Sequence, residues 1–114
     1  MIDDNLLVSQ LKNPRTQEKA FRNLMSLYKK RLYWHIRKIV YSHDDADDVL
    51  QNSFIKIFKN IHKFNAESKL YSWMYRIATN EAITFINKKA KKHHVDISEL
   101  QNVMVSDLQH DEYY

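Results

Sequence analysis

The chain has 114 residues, no glycine, no cysteine and a single proline, Pro14, which fits one domain with one modest core. Without glycine it cannot build glycine-rich phosphate loops or dinucleotide folds that bring bare backbone against a pyrophosphate, and tight hairpins lack residues for positive φ. Without cysteine it has no disulfide, thiolate metal cluster or thiol nucleophile, and its net charge of +4 is unevenly placed.

An all-α fold is therefore expected. Ile2 to Leu11 reads as a short first helix, ended by Pro14, whose nitrogen has no proton to donate. Phe21, Leu24, Met25, Tyr28, Leu32, Ile36 and Ile39 then recur at helical spacing and predict one long amphipathic helix, with Lys29, Lys30, Arg37 and Lys38 on its other face. Ser42 or Asp44 is placed to cap the next helix, and carboxylates in its first turn suit the positive end of the dipole. Its apolar stripe is Ala46, Leu50, Phe54, Ile57, Ile61 and Phe64.

The stretch Asn65 to Lys69 is the clearest break, and Ser68 is placed to start a third long helix. On a wheel of about 100° per residue, Leu70, Ile77, Ala78 and Phe85 cluster around Met74 as the buried face. Trp73, Arg76, Asn80, Ile83 and Asn87 fall on the far side. Glu81 falls inside the apolar arc, for which the wheel offers no reason. Lys88, Lys89, Lys91 and Lys92 close the helix at the negative end of its dipole, and the acidic segment after them reads as a linker or weak helix.

Charge placement points to more than one partner. Eight Lys or Arg stand against Glu18 alone from Arg15 to Val40, and six against Glu81 alone from Ser68 to Lys92. Asp44 to Asp48 is a compact acidic group, and from His93 onward there are five acids and no Lys or Arg. No apolar run approaches the length of a membrane span, and the first residues, with Asp3 and Asp4, lack the basic start of an export signal. A cytoplasmic protein with no membrane insertion is expected.

Between Phe64 and Asn80 the aromatics Phe64, Tyr71, Trp73 and Tyr75 alternate with Lys63, Lys69 and Arg76. That mixture suits single-stranded nucleic acid, because bases stack on rings while cations follow phosphates. The same rings could equally fill a small helical core. Asp44 to Asp48 has three readings: helix-start chemistry, a metal site at Asp44 and Asp48 for which spacing fixes no third ligand and His43 stands alone, or an acidic docking face with Asp48, Gln51, Asn52 and Ile55 on one side. His93 and His94 have no ligand partner at metal spacing. No candidate nucleophile and base are ordered by the sequence, so neither an enzyme nor a cofactor is expected.

The run Asp45-Ala-Asp-Asp-Val-Leu-Gln-Asn-Ser-Phe-Ile-Lys, then Phe64, then Ser68-Lys-Leu-Tyr-Ser-Trp-Met-Tyr-Arg-Ile-Ala-Thr-Asn80, resembles region 2 of extracytoplasmic-function (ECF) sigma factors. The resemblance covers roughly residues 21–92. It implies a small helical bundle of three long helices plus a short N-terminal helix over residues 1–92, followed by an acidic linker, 93–114, leading to a C-terminal region 4 domain beyond this chain. It implies docking on the clamp helices of the largest subunit of core RNA polymerase through Asp48, Gln51 and Asn52, with Ile55 beside them. Asn52 stands where that family usually carries an acid.

It further implies that Phe64, Asn65, Lys69, Tyr71, Ser72, Trp73, Arg76 and Asn80 read the minus-ten promoter element and capture the non-template strand with a flipped base. Asn65 and Lys69 lie at variable positions, so the preferred base does not carry over. An anti-sigma factor is implied as a further partner. The alternative is a helical adaptor that joins two proteins and binds no DNA.

Overall fold

The computed structural model describes residues 4–65 and 67–92. The described residues form four helices, α1 (Asp4–Lys12), α2 (Gln17–Arg37), α3 (His43–Asn60) and α4 (Leu70–Lys92), with a short 3-10 turn at Ile61–Lys63 after α3. The expected linker, 93–114, lies outside the described residues.

Each helix has a local cause. Pro14 falls in the turn after α1, and the Thr16 hydroxyl closes that turn by donating to the Gln10 carbonyl at 2.7 Å. Without a glycine to cap it in the left-handed region, α2 ends through right-handed Lys38, and the Arg37 guanidinium donates to the Val40 carbonyl at 3.0 Å. Of the two candidate caps for α3 the structure selects Ser42, whose hydroxyl accepts the Asp45 N–H at 3.0 Å. At α4 the cap expected at Ser68 moves one residue. The Trp73 N–H donates to the Lys69 carbonyl, so Lys69 stands at the boundary.

Ring contacts and ion pairs across the helices give their directions. Tyr28 and Arg31 of α2 meet Tyr71 of α4, and His35 meets Tyr75 and Thr79, so α2 and α4 run parallel. Asp45 of α3 meets Lys89 and Lys56 meets Glu81, so α3 runs antiparallel to α4. The core at their junction contains Leu24, Leu32, Ile36, Val49, Ile57, Leu70 and Met74, each almost fully buried. Complete burial of such a side chain stabilises by about 1.5–3 kcal/mol relative to exposure. Among the described residues Ser53 is the buried polar one, and its hydroxyl donates to the Val49 carbonyl one turn earlier at 2.7 Å.

The buried stripe of α4 differs from the wheel. It is Leu70, Met74, Ala78, Ala82, Ile86 and Ala90, a strict four-residue repeat, while Ile77 and Phe85 are only half-buried. Such a row slants around the helix, and three alanines in it let neighbouring helices approach closely. The place of Glu81 is explained by the same packing. Its carboxylate accepts from Lys56 of α3 at 2.9 Å, tying the two helices together at the edge of the core.

Candidate nucleic-acid interface

The turn that precedes α4 is held from below by α1. Phe64 leaves the 3-10 turn in an extended conformation, its N–H donates to the Ile61 carbonyl, and its own carbonyl accepts the Lys12 ammonium at 2.6 Å. Its ring is buried, and Trp73 packs against it at 5.2 Å between centroids. Phe64 is thus a core residue, and Trp73 is half-buried rather than fully outward as the wheel placed it. The wheel treats every helix as isolated, whereas the turn folds back over the first rotation of α4 and covers one side of the indole.

The remaining candidates lie open. Asn65 and Lys69 are exposed on the loop, and Ser72, Arg76 and Asn80 are exposed along one face of α4, with Tyr71 half-buried beside them. Ser72 to Asn80 spans eight helical steps, about 12 Å, which matches roughly three stacked nucleotides at 3.4 Å each. Hydroxyl, guanidinium and carboxamide in that order offer donors to phosphate and to base edges. The row has no carboxylate of its own, since Glu81, the sole acid of α4, is engaged by Lys56.

A second flank was not foreseen from sequence. Arg31 lies over the Tyr71 ring at 3.8 Å, Tyr28 stacks on Tyr71 at 5.5 Å, and His35 stacks on Tyr75 at 3.7 Å. Nε2 of His35 is 2.6 Å from the Thr79 hydroxyl, which itself donates to the Tyr75 carbonyl at 2.8 Å. The hydroxyl has one proton, so it accepts from the imidazole. Burial, followed by the charge of Lys38, holds the His35 pKa down to about 4, and the ring is neutral near pH 7. For Tyr28, burial and then the Asp4 carboxylate raise the phenol pKa. The signal available was the spacing of Tyr28, Arg31 and His35 on α2 against Tyr71, Tyr75 and Thr79 on α4, but nothing in sequence joins the two sets.

The docking candidates are brought together on α3. Asp48, Gln51, Asn52 and Ile55 are all exposed within an arc of about 100° on a helix. Ile55 is 47 % exposed, and beside it Phe58, 40 % exposed, meets Phe21 of α2 edge-on at 5.0 Å. A groove lined by Phe21, Met25, Lys29, Gln51, Phe54 and Ile55 runs along this side. Two other acids of the group pair within the fold, Asp45 with Lys89 at 2.8 Å and Asp47 with His43 at 3.1 Å. The other nitrogen of His43 bonds the Tyr33 hydroxyl at 2.7 Å, and no group of three metal-ligating side chains occurs among the described residues.

A bundle of this shape with an open basic helix face beside an aromatic turn defines a class, and comparison with known proteins agrees. The sigma-70 region 2 family profile matches residues 24–92, and the chain belongs to that family, as a region 2 domain of ECF sigma-factor type. It is 34 % identical over 91 residues to the ECF RNA polymerase sigma-E factor of Haemophilus influenzae, covering 80 % of this chain and 47 % of that protein. Against the ECF RNA polymerase sigma factor SigW of Bacillus subtilis it is 34 % identical over 77 residues, covering 68 % of this chain and 41 % of that protein. The chain spans about half the length of these curated relatives. A solved structure, the NMR complex of an engineered region 2 of sigmaE with GTAAAA, superposes with a TM-score of 0.72 at 28 % identity, covering 80 % of this chain and 93 % of that one.

Proposed function

We propose that this domain opens promoters as part of an ECF sigma factor, without performing chemistry itself. It docks on the clamp helices of the largest subunit of core RNA polymerase through Asp48, Gln51, Asn52 and Ile55. It captures the melted non-template strand of the minus-ten element through Asn65, Lys69, Tyr71, Ser72, Trp73, Arg76 and Asn80, while buried Phe64 shapes the turn that presents them. The observation that carries this reading is the open, carboxylate-free row Ser72, Arg76, Asn80 next to the Trp73 ring. Support comes from the sigmaE region 2 domain of matching shape, which binds GTAAAA.

The two faces have separate chemistry. On α3 an apolar centre, Ile55 and Phe58, is flanked by Asp48, which suits a basic protein surface and sets orientation and association rate. On α4, cations follow phosphates while rings receive bases, so affinity falls with salt. Extruding one base costs a few kcal/mol, which contacts along α4 must offset. The site of action is the cytoplasm, and an anti-sigma factor that masks one or both faces is the regulatory partner.

The experiment is selection from a randomised pool of short single-stranded oligonucleotides, paired with capture of bacterial core polymerase on the immobilised chain. Enrichment of one hexamer class, lost in Asn80→Ala, together with polymerase capture lost in Asp48→Lys/Ile55→Glu, is the expected result. Capture of proteins with no enriched sequence favours the adaptor instead.

A further inference from the structure

The row on α4 explains one flank of the helix. The other flank, toward α2, carries four rings in contact, of which the strand-capture set uses Tyr71 alone. In order they are Tyr28, Tyr71, Tyr75 and His35: Tyr28 stacks on Tyr71 with planes 29° apart, Tyr71 meets Tyr75 at 6.0 Å, and Tyr75 stacks on His35 with planes 23° apart. Arg31, itself exposed, lies over Tyr71 at 3.8 Å and within 6.0 Å of Tyr28.

This assembly has the parts of a nucleotide platform. Tyr75 is 42 % exposed although His35 stacks on it and Tyr71 lies 6.0 Å away, so ring surface beyond these two contacts is open. His35 is fixed by Thr79, and Thr79 by the Tyr75 carbonyl, so the ring is held without an outside partner. Because that imidazole is neutral near pH 7, attraction for phosphate comes from Arg31, whose planar guanidinium is pre-set by the ring beneath it. Carboxylates are placed elsewhere. Glu18, the one acid of α2, sits in its first turn 3.6 Å from Arg22, Glu81 faces α3, and Asp4 lies at the Tyr28 end, opposite to Tyr75. Charge complementarity therefore favours an anion across Arg31 and Tyr75, and the exposed ring beside it favours a flat aromatic group on that anion.

We propose that the α2–α4 seam is a second nucleotide subsite, where a base of the captured strand stacks on Tyr75 and its phosphate is held by Arg31. This rests on the reading of α4 as a single-strand face and extends it: the strand passes from the Ser72, Arg76, Asn80 row around Tyr75 to α2. Tyr75 lies between the two, one step before Arg76 and one turn before Thr79. The seam contributes length to the site, and a strand ending on the α4 row does not reach it.

The test compares two probes on the intact 114-residue chain, by fluorescence anisotropy at low salt: the hexamer GTAAAA, and GTAAAA extended by six thymidines at each end. Wild type is expected to bind the longer probe more tightly. Arg31→Gln and Tyr75→Leu are expected to reduce affinity for the longer probe about five- to tenfold, with hexamer binding unchanged. Arg31→Gln should also lower the salt dependence on the longer probe by about one phosphate contact. Arg31→Lys, which keeps charge but loses the planar fork, should fall between.

If wild type binds both probes alike, or if the variants weaken both equally, the second subsite is overturned while the α4 face stands. If neither probe binds wild type, the α4 reading falls and the seam proposal with it. Circular dichroism of each variant fixes the folded fraction used in the comparison.

Discussion

Lys12 and Phe64, fifty-two residues apart, are joined by a hydrogen bond of 2.6 Å from the lysine ammonium to the phenylalanine carbonyl. The bond makes α1 part of the site. It fixes the turn that presents Asn65 and Lys69, and Leu7 and Leu11 anchor α1 to the same core. Lys12→Met removes the donor and keeps the aliphatic stem. It is expected to cost about 1 kcal/mol of stability, discounted for the exposure of the lysine, and to raise amide exchange at Phe64 and Asn65. Unchanged exchange at those two amides would show that α1 does not hold the turn.

The four-residue repeat on α4 separates two substitutions that composition treats alike. Met74 is fully buried and Ile83 is 43 % exposed. Met74→Ala should cost about 2–5 kcal/mol, whereas Ile83→Ala should stay within about 0.5 kcal/mol. Denaturant midpoints with unchanged m-values check both. A large loss at Ile83 would mean that the stripe has been assigned to the wrong side.

The Lys56–Glu81 contact accounts for an acid on an otherwise apolar arc. The glutamate side chain is 21 % exposed and the lysine 54 %, so solvent screens much of the attraction. A double-mutant cycle with Lys56→Met and Glu81→Gln should give a coupling of about 0.5 kcal/mol that shrinks in high salt. Zero coupling at low salt would remove the pair from the account of α3–α4 packing.

Titration of His35 gives a pH dependence of defined sign. In the unfolded chain it titrates near 6.5. In the fold, burial against Tyr75 and Thr79 and then the Lys38 charge lower its pKa to about 4. The unfolded state therefore binds more protons between these values, and the stabilising contribution is complete above pH 6.5 and lost as pH falls toward 4. The fall in melting temperature from pH 7 to pH 5 should be smaller in His35→Gln than in wild type. Parallel curves would show that the imidazole is not desolvated.

Local features were legible in the sequence. The stripe of α3 is visible because Leu50, Phe54 and Ile57 among its buried positions are large and apolar, although Val49 and Ser53, also buried, lie outside the expected stripe, and Ser42 is readable as a cap because its oxygen needs only the backbone of the next turn. On α4 the wheel leaned on Met74, Ile77 and Phe85, because Ala82 and Ala90 carry too little apolar surface to mark a buried row, though both are covered. What the sequence could not supply was contact across helices. The burial of Phe64, the partial cover of Trp73 and the partners of Glu81 and Arg31 all depend on which elements meet, and no spacing within one helix encodes that.

Trp73 is an ambiguous probe of DNA capture, because removing its indole also uncovers Phe64. Arg76 and Asn80 are exposed and bear less on packing. The most direct measurement of the central claim is therefore the affinity of wild type, Arg76→Ala and Asn80→Ala for the single-stranded hexamer enriched by selection from the random pool, for a scrambled hexamer and for the duplex of the enriched sequence, at two salt concentrations. The account predicts a preference for the single strand over both competitors, reduced about tenfold or more in each variant while melting temperatures stay unchanged. Equal affinity for all three DNAs, with both variants indistinguishable from wild type, would contradict strand capture on α4.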